Sequence, residues 1–189
     1  LNIINKHTDK ITAWISEPDK GLYDAMNKGL RMATGDYVWF INAGDEIFAK
    51  NTLLEIFENK GIADVYYGET MIVDEDGREI GRRRLKTPAT LTWKSLKKGM
   101  LVSHQAIIVK NKLVLPYDVT YRFSADFNWV IQVLKQANSI VNTNLFIARF
   151  LDGGLTKKNI IPGLKERFRI MCKHYGLLST LWHHIPIGV

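Results

Sequence analysis

The chain has 189 residues, with 26 basic and 19 acidic side chains and a formal net charge of +7. This length allows one domain with a full hydrophobic core and an appendage, and the charge favours polyanionic partners such as nucleotide diphosphates, acidic lipids or nucleic acid. The one cysteine, Cys172, excludes an internal disulfide and a cysteine-rich metal site and is compatible with a reducing cytosol.

The first part of the chain predicts a long amphipathic helix behind a polar loop. Residues 1–9 are typical of the end of a helix, and the β-branched residues 11–15 predict a short strand. Pro18 interrupts the regular pattern in the loop that follows. Apolar residues then recur at i, i+3 and i+4 spacing up to the stop signal Gly35, which predicts a helix with one buried face. They are Leu22, Ala25, Met26, Gly29, Leu30 and Ala33.

An apolar run then ends in a polar loop that contains a carboxylate. Residues 37–41 are all apolar, the pattern of a strand that is covered on both faces in a parallel sheet. Residues 42–46 leave this strand at its carboxyl end, where open α/β sheets bind ligands. Because hard divalent cations prefer oxygen ligands, Asp45 in this loop is a candidate metal ligand.

The middle of the chain predicts further strands and short helices. Asn51 is a predicted N-cap of a helix. Residues 64–73 and 79–85 predict two strands around an Asp-Gly hairpin turn. Residues 91–98 predict a short helix, and residues 101–110 predict a strand.

The last part predicts a helix, a strand and a basic amphipathic helix. Ser124 is a plausible N-cap for a helix over residues 127–137, and residues 140–150 predict a strand. From residue 160 onward, a basic amphipathic pattern predicts a helix that either packs back on the preceding domain or lies in a membrane interface. We find no apolar run near the ~18 to 20 residues that span a bilayer and no signal peptide, so we expect a soluble or peripheral protein.

Four blocks in this order resemble the family 2 glycosyltransferases, which are inverting enzymes of GT-A fold that take sugars from nucleotide diphosphates. The blocks extend over roughly residues 15–156. They are Glu17-Pro18-Asp19 with Gly21, Tyr23 to Asn27 and Gly29; Gly35-Asp36 with Asn42-Ala43-Gly44-Asp45; Ser103-His104-Gln105; and Ser124 to Phe127 with the Gly153-Gly154 turn.

The resemblance implies an α/β fold, with the mixed GT-A sheet flanked by helices. Family members normally begin with a strand, a helix and a second strand that together cradle the nucleoside, so we expect this sequence to be N-terminally truncated. Residues 1–156 would then form a partial catalytic domain, and residues 157–189 would form a C-terminal basic amphipathic extension.

The resemblance also assigns the metal ligand and the catalytic base. Asp45 matches the last position of the family's Asp-x-Asp-type motif, the carboxylate that holds Mn²⁺ or Mg²⁺. Asn42 and Gly44 stand where many relatives have further aspartates, so we expect weak metal binding without the nucleotide. Asp126 matches the position at a helix start where the family has its catalytic carboxylate. Inversion by a single displacement needs one base there, and a helix N-terminus favours the ionised carboxylate.

Other residues of these blocks are candidates for contacts with the substrates. Asp19, Asp24, Asn27, Asn42 and Asp45 are the predicted donor-binding residues, and His104 and Gln105 are predicted to orient the acceptor or bind the leaving group.

Alternative interpretations remain open for several of these residues. Asp24 is equally typical of a first-turn acid on a helix, Asp126 of a helix cap, and His104 of a hydrogen-bonded structural residue. The basic cluster of residues 82–86 fits either solvated charge on an edge strand or a phosphate-rich acceptor site. Aromatic residues are not interleaved with it, which disfavours a nucleic-acid partner.

The expected function is metal-dependent, inverting transfer of a hexose or N-acetylhexosamine from a UDP-sugar. The acceptor would be a saccharide or a lipid-linked saccharide in bacterial cell-envelope polysaccharide or lipopolysaccharide synthesis. The expected location is the cytoplasm, or the inner face of the cell membrane through residues 160–189. The alternatives are a non-catalytic module that binds a nucleotide-sugar or carbohydrate in a larger assembly, and a basic peripheral membrane protein.

Overall fold

The computed structural model describes residues 2–153 and 159–184 of the chain. The helices are α1 (Asn2–Lys6), α2 (Leu22–Met32), α3 (Thr52–Asn59), α4 (Ala125–Gln136), α5 (Ile160–Tyr175) and α6 (Leu177–His184). The strands are β1 (Tyr37–Trp39), β2 (Glu46–Ile47), β3 (Val65–Val73), β4 (Glu79–Arg82), β5 (Ile107–Lys110) and β6 (Ile140–Leu151). Short 3₁₀ turns lie at Thr8–Lys10, Ser95–Lys98, His104–Ala106 and Asn111–Leu113.

The strands of the described residues form one mixed sheet in the order β1-β5-β3-β6-β2, with β4 paired to the second half of β3. Strands β3 and β6 run parallel, whereas the other neighbouring pairs are antiparallel. The expected mixed sheet flanked by helices is therefore confirmed. Strand β3 is central, because β5 and β6 pair with its first half and β4 and β6 pair with its second half.

The hydrophobic core lies between the centre of this sheet and helix α4. Fully buried side chains of β3 and β5 pack with one another and with the apolar face of α4. Fully burying a large apolar side chain contributes roughly 1.5–3 kcal/mol, so this cluster fixes α4 against the sheet. Its largest members include Tyr66, Tyr67, Ile107, Ile108, Phe127, Trp129 and Ile131.

Four predicted elements differ from the observed ones. Residues 11–15 form no strand, and Trp14 is exposed there, because β-propensity without a partner strand does not order a segment. Within residues 91–98, only Ser95–Lys98 is helical. The strand predicted from residue 101 begins at Ile107, after a 3₁₀ turn. Strand β1 pairs antiparallel with β5, because an apolar run does not distinguish the two directions.

Two predicted helix caps occupy the N-cap positions but do not cap with their side chains. The side chain of Asn51 donates to the Glu55 carboxylate at 2.5 Å. The hydroxyl of Ser124 donates instead to the carbonyl of Gly163, at 3.2 Å. Ser124 therefore links the start of α4 to helix α5.

Helix α5 packs on α4, whereas α6 keeps much of its apolar surface exposed. Ile170 and Met171 of α5 are buried, and the ring of Tyr175 stacks on Trp93 at a centroid distance of 5.5 Å. On α6, by contrast, Leu178 is 84% exposed and Trp182 is 79% exposed. Across residues 2–153 and 159–184, the helices lack the combined length and apolar character that crossing a bilayer requires.

Candidate active site

The pairing of β1 with β5 brings two of the sequence blocks into contact. Because the strands are antiparallel, with Trp39 opposite Ile108, the loop after β1 lies beside the turn before β5. The indole N–H of Trp39 donates to the carbonyl of Gln105 at 2.7 Å. The side chains of Asn42 and His104 are 3.0 Å apart, although the two residues are 62 positions apart in the chain.

Asp45 is held at the end of this loop by two hydrogen bonds. The amide of Gln105 donates to Oδ2 of Asp45 at 2.7 Å, and the backbone N–H of Leu151 donates to Oδ1 at 3.2 Å. Gly44 has a φ of +93°, and a Cβ there would lie 2.9 Å from the Leu151 side chain. The glycine thus permits the close approach between the loop and the end of β6.

Asp126 lies at the start of α4 and receives hydrogen bonds on both sides. Its Oδ1 accepts from the hydroxyl of Tyr23 at 3.1 Å and from the backbone N–H of Phe127 at 2.9 Å. Its Oδ2 lies 3.4 Å from Nδ1 of His104, and 21% of the side chain is exposed. When His104 carries its proton on Nδ1 it donates to Asp126, and its Nε2 can then accept from Asn42.

The pKa of Asp126 is lowered from its ordinary value by its neighbours. Burial opposes ionisation, but the hydrogen bond and charge of His104, the charge of Arg167 and the N–H of Phe127 outweigh it. Asp126 is therefore a carboxylate at neutral pH. Burial and the negative charge of Asp126 raise the pKa of Tyr23, which keeps its phenol protonated as a donor.

Two arginines face the same cleft as Asp126. Arg83 and Arg167 line this cleft of ≈ 230 Å³ together with His104 and Gln105. The guanidinium of Arg83 donates to the carbonyl of Met100 at 3.0 Å. Burial, and then the charge of Arg167, lower the pKa of Arg83. We call this space the catalytic cleft, after the role that is proposed below for Asp126.

The basic cluster of residues 82–86, for which the sequence allowed two roles, is divided between two faces. Arg82 and Arg84 are exposed, whereas Arg83 between them is half-buried and points into the catalytic cleft. The alternation of side chains along an extended segment explains this division. The pattern shows that at most half of the cluster can face one site, but it does not show which half.

Helix α5 anchors the segment that precedes Asp126. The carboxylate of Glu166 accepts hydrogen bonds from three successive backbone N–H groups, those of residues 122–124, at 2.8, 2.8 and 2.9 Å. The Ser124 hydroxyl adds its bond to the Gly163 carbonyl. The position of Asp126 therefore depends on a helix that follows it by more than thirty residues.

Three predicted donor-binding residues lie away from the catalytic cleft. Asp19 and Asp24 accept from the backbone N–H groups of Gly21 and Lys20, and so fold the loop that begins α2. Asp24 also lines a separate cleft of ≈ 630 Å³. Asn27 is buried.

The hydrogen bonds of Asn27 favour a structural role over the predicted contact with the donor. Its amide nitrogen donates to the Tyr117 carbonyl at 2.9 Å, and its amide oxygen accepts from the Tyr117 N–H at 2.7 Å. Since both ends of the amide are used on the backbone, Asn27 is a structural residue that joins α2 to the segment before α4.

The surroundings of Asp45 fit a divalent cation that takes this one carboxylate as its protein ligand. Within the described residues, three or more His, Cys, Asp or Glu side chains do not group in a way that could hold a metal ion. Each carboxylate oxygen of Asp45 accepts one hydrogen bond from the described residues and keeps a further lone pair. A Mg²⁺-like or Mn²⁺-like ion would therefore take most of its oxygen ligands from a bound diphosphate.

The sequence identified five of the residues that meet here, which are Asn42, Asp45, His104, Gln105 and Asp126. It left Arg83 open as part of the basic cluster, and it gave no role to Tyr23 or Arg167. Tyr23 stands inside a recognised block, but its contact with Asp126 spans 103 positions and depends on tertiary packing. Arg167 lay in a segment whose basic pattern fitted either a packed or an interfacial helix.

The chain is similar in sequence to mycobacterial glycosyltransferases. It is 30% identical over 126 residues to an uncharacterized glycosyltransferase of Mycobacterium tuberculosis, with 63% of this chain and 46% of the relative covered. It is also 30% identical over 122 residues to a PGL/p-HBAD biosynthesis glycosyltransferase of Mycobacterium bovis BCG, with 61% and 44% covered. The chain thus spans less than half the length of these relatives.

Its fold is similar to that of S. aureus TarS. The TM-score is 0.65 at 16% sequence identity, and the match covers 98% of this chain and 58% of that chain. TarS in complex with UDP-GlcNAc matches with a TM-score of 0.62 at 19% identity, covering 90% and 51%. At these identities the likeness shows the fold.

The family itself is shown by the sequence. The model of the family described as "Glycosyl transferase family 2" matches residues 2–114, which is more than half of the 189 residues. With the GT-A-like sheet and two blocks of the match meeting around Asp45, the chain belongs to the family 2 glycosyltransferases.

Proposed function

We propose that this chain carries the active site of an inverting glycosyltransferase that transfers a hexose or N-acetylhexosamine from a UDP-sugar. The observation that carries the proposal is a carboxylate that lines the cleft together with a second carboxylate that is bonded to a residue of the same cleft. Asp126 is ionised at the catalytic cleft, and Asp45 adjoins the same cleft through Gln105. One carboxylate can act on the acceptor and the other on the departing diphosphate.

In this proposal Asp126 is the general base. An acceptor hydroxyl loses its proton to the Asp126 carboxylate while its oxygen forms a bond to the anomeric carbon. The bond from that carbon to the diphosphate oxygen breaks, and its electron pair leaves with the nucleotide diphosphate. His104 and Tyr23 hold the carboxylate from two sides, so the base is oriented before the acceptor arrives.

Asp45 serves the leaving group in this proposal. It is the side chain that would hold a Mn²⁺ or Mg²⁺ ion, and a divalent cation bound there supplies positive charge to stabilise the departing diphosphate. Gln105 fixes the orientation of the Asp45 carboxylate. Asn42 contacts His104 and so connects the loop of Asp45 to the base.

The choice of substrates rests on the similar proteins and on charge. TarS has been solved with UDP-GlcNAc and with UDP, which supports UDP as the nucleotide. One relative is named for PGL/p-HBAD biosynthesis, which supports a saccharide or lipid-linked acceptor of the bacterial cell surface. The net charge of +7 suits an anionic nucleotide-sugar donor.

We further propose that the protein works in the cytoplasm, in peripheral contact with the inner face of the cell membrane. The exposed Leu178 and Trp182 of α6, next to basic residues, suit a lipid interface. Flotation with vesicles that contain anionic lipid tests this contact, and the absence of any bound protein would contradict it.

The donor site is tested by calorimetric titration of UDP into the full-length gene product, with and without Mn²⁺. We expect binding that depends on Mn²⁺ and is lost in Asp45→Asn. Asp36→Asn is the matched control, because Asp36 is exposed in the same segment and outside the loop of Asp45. Equal binding by the Asp45 variant and the wild type would contradict the role of Asp45.

The base is tested in the same protein by its turnover. In Asp126→Asn we expect sugar transfer or donor hydrolysis to fall by about 10²- to 10⁴-fold with UDP binding retained. Unchanged turnover would overturn the assignment of Asp126. Binding of UDP without any turnover in the wild type would instead favour a non-catalytic nucleotide-sugar module.

A further inference from the structure

A second, cationic cleft continues from the catalytic cleft. Its volume is ≈ 480 Å³, and its lining residues include Arg84, Leu85, Lys98, Arg167 and Trp182. Arg167 lines both spaces. Two segments of the chain also connect the two clefts. Residues 83 and 100 line the catalytic cleft, and the neighbouring residues 84–85 and 98–99 line the second cleft.

The charges of this second cleft are not balanced by its own lining. Arg84, Lys98 and Arg167 face it, and its lining contains no carboxylate in the described part of the chain. None of these three cations takes part in an ion pair with another of the described residues. Like charges around one cleft repel each other. An anion bound among them is attracted by all three cations and reduces this repulsion.

The walls beside these cations are apolar. Leu85 lies on one side, and Trp182, which is 79% exposed, lies on another. An aromatic ring of this kind can cover a sugar ring or an alkyl chain next to an anionic group. The cleft is therefore suited to a molecule that carries both an anionic group and a less polar part.

The position of this cleft indicates the acceptor rather than the donor. It shares no lining residue with the loop of Asp45 or with Gln105, where the diphosphate of the donor is proposed to bind. It is joined to the catalytic cleft through Arg167, whose charge acts on Asp126. A molecule that extends from the second cleft can thus present a hydroxyl to Asp126.

We propose that the acceptor carries a phosphate group and that Arg84, Lys98 and Arg167 bind it in this cleft. The inference rests on the proposed transferase function, since it names the acceptor class of the same site. Guanidinium and ammonium groups bind phosphate oxygens through charge-assisted hydrogen bonds. The phosphate would fix the register of the acceptor, and Trp182 would cover the part of the acceptor next to it.

The test measures binding of two phosphate probes to the full-length gene product. A soluble trimer of glycerol phosphate represents a phosphodiester polymer, and octyl phosphate represents a phosphate on an alkyl chain. Maltotriose is the neutral control. The cleft variant is Arg84→Gln with Lys98→Gln. The matched variant is Arg82→Gln with Lys94→Gln, which removes two charges from the same two segments outside the cleft.

We expect at least one phosphate probe to bind about tenfold or more tightly than maltotriose. The cleft variant should weaken that binding by about tenfold or more, because charge-assisted contacts are lost, while the matched variant should bind like the wild type. The probe that binds identifies the source of the phosphate. The proposal is overturned if neither probe binds more tightly than maltotriose, or if both variants bind alike.

A failure of this inference can be separated from a failure of the proposed function. Titration of UDP with Mn²⁺ into the wild-type protein reports the donor site and involves neither probe. Retained UDP binding with no phosphate-probe binding would reject the cationic cleft alone. Phosphate-probe binding that depends on the cleft, without UDP binding, would support the cleft and reject the UDP assignment.

Discussion

At the scale of single residues, the two oxygens of Asp126 have different partners. Oδ1 is held by Tyr23 and by the backbone N–H of Phe127, whereas Oδ2 faces His104 alone. Oδ2 is therefore the oxygen with more free lone-pair capacity toward the cleft. We expect it to be the atom that receives a proton from an acceptor.

The influence of His104 on Asp126 can be tested by pH. A base must be ionised to act, so turnover falls as the pH drops through its pKa. His104 lowers the pKa of Asp126 by a hydrogen bond and by charge, while burial raises it. In His104→Phe we therefore expect the acidic limb of the kcat/KM profile to move to higher pH. At acidic pH the variant should then be less active than the wild type.

The control for this experiment is His7→Phe, because His7 is exposed near the N-terminus. Its pH profile should match that of the wild type. An acidic limb that stays in place in His104→Phe would contradict the contact between His104 and Asp126. The measurement is the pH profile of kcat/KM for transfer or donor hydrolysis.

The sequence predicts these residues unequally, for physical reasons. Asp45 was predicted because it follows an apolar strand at the end where ligands bind, and Asp126 was predicted because it matches the family's catalytic position at a helix start. For Asn27 the sequence does not distinguish a ligand contact from the hydrogen bonds to the backbone of Tyr117 that the structure shows, because both use the same amide. Tyr23 was missed because its partner lies 103 positions away.

At the scale of elements, the strongest link around the base is between α5 and the segment before α4. One carboxylate, that of Glu166, accepts from the N–H groups of residues 122–124. Three successive N–H groups on one carboxylate leave the segment little freedom to move. The amphipathic pattern of α5 predicted a helix, but it did not reveal that one of its polar residues holds the catalytic segment.

Replacing Glu166 by Gln should lower turnover without preventing donor binding. The amide offers one acceptor oxygen and turns an NH₂ group toward backbone donors, so at least one N–H loses its partner at a cost of about 1–3 kcal/mol. We expect kcat to fall while the Kd for UDP with Mn²⁺ stays near the wild-type value. Steady-state kinetics and calorimetry measure the two effects.

Glu58→Gln is the matched control, because Glu58 is exposed on α3. It should leave kcat unchanged. If Glu166→Gln lowers UDP affinity and kcat equally, the effect reflects general unfolding and contradicts a positioning role. Restored turnover in Glu166→Asp would show that the carboxylate charge matters more than its reach.

Sheet topology was the element-scale property that the sequence predicted least well. The apolar run at residues 37–41 predicted a buried strand, but its partner β5 and their antiparallel direction follow from contacts 70 positions apart. This direction decides which blocks meet. A parallel neighbour would have placed the other end of β5 beside Asp45, and His104 would lie far from Asn42.

At the scale of the whole molecule, we expect the packing of α5 on α4 to depend on pH. His174 bridges the helices, with Nε2 2.8 Å from the amide oxygen of Asn128 and Nδ1 3.0 Å from the ammonium of Lys135. Burial, followed by the charges of Lys135 and Lys173, lowers the pKa of His174 to about 4. His174 is therefore neutral, donating from Nε2 and accepting at Nδ1.

This neutral histidine should make folding stability depend on pH. Between about 6.5, the ordinary pKa, and about 4, the unfolded chain binds a proton at His174 that the folded chain does not. The free energy of unfolding should then decrease as the pH falls through this range. In His174→Gln we expect a weaker pH dependence, measured by urea unfolding at several pH values.

His7→Gln is the control, and its unfolding should keep the pH dependence of the wild type. A pH dependence in His174→Gln as steep as that of the wild type would contradict the neutral state of His174. The same outcome would show that the helix contact does not need an unprotonated ring.

The anchoring by α5 also has a consequence for the exchange of parts between related enzymes. The family match ends at residue 114, whereas Asp126, Glu166, Arg167 and Trp182 all follow it. A chimera joined near residue 114 would inherit the Asp45 loop with its Gln105 from one parent. It would inherit Asp126, the Glu166 anchor, and Arg167 and Trp182 of the second cleft from the other parent, whereas Arg84 and Lys98 would come with the Asp45 loop. Recombination at this junction would thus divide the proposed acceptor cleft between the two parents, so a chimera keeps acceptor binding only where the cations of both parents match.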